Sequence, residues 1–132
     1  MSFSDGDASR GRIPLPGPAA WVVALWGAVV AICSAPFAAA LVASLYRFPI
    51  PFGDYARGLN EALNAALASI FYLVIGGIVP LALAGAIAGF LLARRNVRGR
   101  ARCLALTAAT GFAMACVCAL LLALLEYAIG PW

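Results

Sequence analysis

Three long apolar stretches make up most of this chain, separated by two short polar breaks. The first runs from Ala19 to about Tyr46, the second is the uncharged run Ala65 to Ala93, and the third runs from about Cys103 to Ile129. At a helical rise of about 1.5 Å per residue, each exceeds the roughly 30 Å hydrocarbon core of a bilayer. The pattern predicts an all-α membrane protein of three transmembrane helices over 19–46, 65–93 and 103–129, joined by short loops. Trp21 and Trp26 near one end of the first span, and Tyr46 with Phe48 near the other, read as interfacial anchors.

The polar segments mark the boundaries. Residues 1–18 are polar and then proline-rich, which predicts a disordered tail ahead of one transmembrane domain spanning 19–132. In the break after the first span, Pro49 and Pro51 forbid a regular helix, and Gly53-Asp54 supplies turn chemistry. Asp54, Arg57 and Glu61 then follow at i, i+3 and i+7, the spacing of an amphipathic lead-in turn with the arginine between two acids. The last residues, Gly130-Pro131-Trp132, stop the third helix.

Composition agrees with the pattern. The chain has 132 residues, of which 65% are hydrophobic and 11% charged, where a soluble domain carries roughly 25% charged residues. All nine basic residues are arginine, a bias that, with the many alanines, reads as a GC-rich and therefore bacterial source. Five of them, Arg94, Arg95, Arg98, Arg100 and Arg102, crowd the short second break. Their first reading is the positive-inside signal, and their second is a patch for anionic lipid or an acidic partner. The loop is then cytoplasmic, the N-terminus with Arg10 and Arg12 lies on the same side, and the C-terminus is extracytoplasmic. That places the chain in a bacterial inner membrane as a multi-pass protein. Nothing in the sequence offers a nucleic-acid platform. A second reading of the first span is a signal peptide cut near Ala38-Ala39-Ala40, which would leave a pilin-like hairpin; the apolar run continuing through Leu45 argues against it.

Histidine is absent, which removes the commonest haem and zinc ligand and the usual general base. Cys33, Cys103, Cys116 and Cys118 lie in or beside apolar runs and fit small hydrophobes better than a disulfide framework. Cys116 and Cys118 point to nearly opposite sides of a helix, so a shared metal site is not expected. No cofactor is expected either.

Small residues recur four apart in every span, with the second ridge interrupted at Leu81. The ridges are Gly27, Ala31, Ala35, Ala39; Gly77, Gly85, Gly89; and Gly111, Ala115, Ala119. Such ridges let helix backbones approach closely where lipid provides no hydrophobic drive. They predict packing within the unit, with docking onto other subunits or further copies as the alternative. Pro36 and Pro80 each remove a helical hydrogen bond and predict kinks at similar depth. Glu126 interrupts the third span near its outer end, where an ion pair with Arg47 is the expected solution.

With no catalytic constellation in view, the chain reads as non-enzymatic. The leading function is an accessory, assembly or anchoring subunit of a larger membrane complex. The alternatives are a small homo-oligomeric transporter or channel, motivated by the prolines, glycines and acids, and the processed pilin-like subunit.

Overall fold

A computed structural model describes residues 19–52, 54–95 and 99–130. The predicted tail over 1–18, the Gly53 turn position, Arg98 and the terminal Pro131-Trp132 lie outside the described residues. Helix α1 (Ala20–Leu45) leads into strands β1 (Phe48–Ile50) and β2 (Asp54–Ala56). A 3₁₀ turn (Leu59–Glu61), α2 (Ala62–Tyr72), a π turn (Leu73–Gly77) and α3 (Ile78–Arg94) follow as one rod, and α4 (Arg100–Ile129) closes the order. Three rods, Ala20–Leu45, Leu59–Arg94 and Arg100–Ile129, are long and apolar enough to cross a membrane.

α1 lies against both α3 and α4, which also touch each other. The indole Nε1 of Trp26 donates to the Leu104 carbonyl at 3.3 Å, which ties the start of α1 to the start of α4. The two helices therefore run parallel, with the middle rod antiparallel to both. One end of the bundle gathers Arg94, Arg95, Arg100 and Arg102, and the other carries the hairpin.

The core is built from small side chains. Ala31, Ala38, Ala39 and Ala43 of α1, Ala65 of α2 and Ala123 of α4 are fully buried, while Leu25, Val29, Phe37, Val79, Leu83 and Leu121 are exposed on the outside. A soluble domain would invert that order. Here the bulky residues meet lipid tails, and the interior is packed by close approach of backbones.

The middle rod shows how sequence sets this packing. Along a straight α-helix Ser69 and Leu81 would be about 120° apart around the axis, twelve residues at about 100° each. Both are buried. The π turn at Leu73–Gly77 absorbs one extra residue, which brings their directions to within about 20° and keeps one face of the rod inward on either side of it. Pro80 explains the site of the turn: it has no N–H for the Gly76 carbonyl, and Gly76 takes a non-helical conformation (φ 164°, ψ −7°). Around Pro36, by contrast, α1 continues without a break from Ala20 to Leu45.

A hairpin stands where only a polar break is predicted. β1 and β2 pair antiparallel in the register Phe48↔Ala56, Pro49↔Tyr55 and Ile50↔Asp54. Phe48 is fully buried and meets Tyr72 edge-on, with ring centroids 6.2 Å apart. Phe52 forms the exposed tip at φ 78°, a left-handed conformation that bulky residues seldom adopt. The Gly58 N–H then donates to the Ala43 carbonyl at 2.9 Å, satisfying one of the carbonyls that the end of α1 leaves open. The hairpin is thereby folded back over the end of the bundle.

Candidate functional site

The predicted ridges face one another. A Cβ on Gly27 would strike the Gly85 carbonyl oxygen and lie 3.2 Å from Thr107 Cγ2, and a Cβ on Gly85 would lie 2.7 Å from Ala31 Cβ. Gly89 is held as closely, since its Cβ would collide with the Val23 carbonyl oxygen and sit 3.0 Å from the Val23 carbonyl carbon. Gly111 is looser, 3.2 Å from Val30 Cγ1 and 3.3 Å from the Ala31 nitrogen. Ala31, Ala35, Ala39, Ala115 and Ala119 are buried along the same seams. Gly77 differs from the others: its nearest neighbour would be the Tyr72 carbonyl oxygen of its own turn, at 3.0 Å. The two seams leave α1 between α3 and α4, so these small-residue faces are occupied within the chain.

Buried hydroxyls inside the bundle are satisfied locally. Thr107 Oγ1 donates to the Cys103 carbonyl at 2.8 Å and Ser69 Oγ to the Ala66 carbonyl at 2.7 Å. Beside the π turn lies a cavity of about 150 Å³, bordered by Ala35, Ser69, Gly77, Pro80, Ala115 and Cys118. The Pro80 irregularity thus opens a small, mainly apolar space among the three rods. Among the described residues, no three His, Cys, Asp or Glu side chains come together.

The polar chemistry is concentrated at the hairpin end. The Arg47 guanidinium carbon lies 5.5 Å from the ring centroid of Tyr46, 5.0 Å from that of Tyr55 and 5.2 Å from that of Tyr127. These distances are within the range of cation–π attraction. β2 contributes Tyr55, α4 contributes Tyr127, and the residue after α1 contributes Tyr46, so the hairpin's return completes the enclosure. The Arg47 Nε is buried without a hydrogen-bond partner.

The expected Arg47–Glu126 ion pair is not formed. Glu126 is 4% exposed and its Oε2 is buried without a hydrogen-bond partner. The reason is rotational. Cys103, Thr107, Gly111, Ala115, Ala119 and Ala123 form the buried face of α4, and a further step of three places Glu126 on that face instead of at the water. The aromatic rings meanwhile hold the arginine head. Glu61 is occupied too, because its Oε2 accepts the Arg57 backbone N–H at 2.8 Å.

A cavity of about 450 Å³ opens at this rim and is lined by Ser44, Tyr46, Arg47, Arg57 and Tyr127 among others. Sequence reasoning gives Arg57 to its acidic neighbours and does not assemble the three tyrosines. At the opposite end Arg94, Arg95, Arg100 and Arg102 are exposed, and Arg94 also lies over Phe90 at 5.4 Å.

Compared with protein-family models, curated proteins and solved structures, the chain matches none of the three.

Proposed function

We propose that the protein is a non-catalytic subunit of a larger membrane complex, acting as an accessory, assembly or anchoring component. Its place is the inner membrane of a bacterium, with the N-terminal tail and the arginine loop cytoplasmic and the hairpin outside. The observation that carries this reading is the character of the interior. Apart from Glu126 near one end, the buried polar side chains of the described residues, Ser69 and Thr107, are bonded to their own helices, and the alanine and glycine seams between the described rods leave no polar path along the bundle axis. A transport route needs water or fixed polar groups at successive depths, and catalysis needs convergent reactive groups. Exposed charge sits instead at the two ends, where a partner's water-facing parts meet it.

Extraction in a mild detergent with the intact chain as bait tests the proposal. The expected result is stoichiometric co-purification of other membrane proteins, and recovery of the chain alone at every detergent tested rejects it. A transporter is the second reading, favoured by buried Glu126 and the cavity at Pro80. Solute or proton flux in liposomes that rises with the amount of protein would establish it.

A further inference from the structure

The arginine pair at the hairpin end stands out because no carboxylate among the described residues neutralises it. Arg47 and Arg57 line one cavity of about 450 Å³, and among the described residues no carboxylate is ion-paired to either. The three acids of this end are turned elsewhere: Asp54 Oδ1 accepts the Tyr55 N–H at 2.8 Å, Glu61 accepts the Arg57 N–H, and Glu126 faces the bundle interior. Ser44 Oγ already donates to the Ala40 carbonyl at 2.8 Å, so the guanidinium groups are the cationic donors left to the cavity.

Location decides which anion meets them. α1 ends at Leu45 and α4 at Ile129, so Tyr46 and Tyr127 stand where the apolar spans give way to the headgroup layer, the usual depth of interfacial tyrosines. At that depth the abundant anion is the phosphate of a lipid. Guanidinium forks match phosphate oxygens in pairs. The tyrosine rings hold the Arg47 head in place, which lowers the entropy lost on binding.

We propose that this rim cavity binds a phosphate ester, the headgroup of an anionic phospholipid of the outer leaflet, through Arg47 and Arg57. The site is separate from the arginine loop at the other end of the bundle. It fixes one lipid at a defined position and does not merely attract a diffuse layer.

The test uses the full chain in a non-ionic detergent, titrated with short-chain phosphatidylglycerol, short-chain phosphatidylcholine and glycerol 3-phosphate, with binding read by native mass spectrometry. Phosphatidylglycerol is expected to bind about tenfold or more tightly than phosphatidylcholine. Arg57→Gln, a change at an exposed position, should weaken it by about tenfold, and Arg47→Gln combined with it should abolish the preference. Neutralising Arg94 and Arg95 together should leave the affinity unchanged. Competition by glycerol 3-phosphate as strong as that of the lipid would keep the phosphate-ester site but overturn the lipid as its source. Wild-type affinity in both rim variants, or a loss that follows Arg94 and Arg95, overturns the proposal.

Discussion

Replacing Gly85 by alanine tests the packing logic with a single carbon. The added Cβ would collide with the Gly27 carbonyl oxygen, and would lie 2.7 Å from Ala31 Cβ and 2.9 Å from the Gly27 carbonyl carbon. Favourable carbon contacts lie at about 3.5–4.0 Å, so α1 and α3 must part by about 1 Å, and a gap of that size forfeits a quarter to a half of each facing contact. Two of the three obstacles are backbone, which no side-chain rotation relieves. Overfilling of this kind costs about 1–3 kcal/mol, against a gain of about 0.5–1 kcal/mol for alanine over glycine in a helix. Gly76→Ala is the control for an added carbon without collision, since a Cβ there meets nothing within 4 Å. Reversible unfolding in mixed micelles, followed by circular dichroism against detergent composition, measures both. Gly85→Ala should be less stable than the control by about 1–2 kcal/mol. Equal stability of the two variants would refute the claim that backbone contact holds α1 to α3.

Gly111→Ala should cost less than about 1 kcal/mol in the same assay, because its contacts, Val30 Cγ1 at 3.2 Å and the Ala31 nitrogen at 3.3 Å, need give only slightly and nothing collides. Phe48→Ala removes the buried anchor of the hairpin and should lower stability by about 3–5 kcal/mol; proteolysis at the hairpin end should rise with it, and unchanged protection would show that the strands hold themselves. Glu126→Met replaces a buried carboxyl whose Oε2 lacks a partner and should raise stability by about 1–3 kcal/mol. A drop would assign the carboxyl a partner or a role in the folded assembly. In intact cells a cysteine at Arg57 should react with a membrane-impermeant thiol reagent and one at Arg95 should not; the reverse pattern inverts the proposed orientation.

The parts of the fold that repeat along a helix are legible in the residues. Three apolar runs give the three rods, and the four-residue recurrence of Gly27, Ala31 and Ala35 gives the face that meets Gly85. The π turn is half legible: Gly76, Gly77 and Pro80 mark a weak point, but the inward direction on either side of it depends on the neighbouring helices. The hairpin is not legible, because Pro49 and Pro51 argue against regular structure and the pairing of Phe48 with Ala56 gains its anchor only when Phe48 meets Tyr72. Glu126 shows a different kind of loss. Counting its height along the axis places it at the outer interface, while its spacing from Ala119 and Ala123 already carries the azimuth that turns it inward. The enclosure of Arg47 joins three separate elements, and no local pattern brings Tyr46, Tyr55 and Tyr127 to one point.

Close approach between membrane helices depends on small residues, and Gly27, Gly85, Gly89 and Gly111 all look inward. The perimeter shown to the rest of the bilayer is mostly leucine, valine, isoleucine and phenylalanine, with one row of small residues, Ala105, Ala109 and Ala113 of α4, also turned outward. A neighbouring rod gains little against the bulky part over the fluid it displaces, and the alanine row is where a backbone could come near. A partner joining this bundle within the lipid would accordingly be expected along that alanine row, and one joining it in water at the hairpin cap or the guanidinium-rich turn.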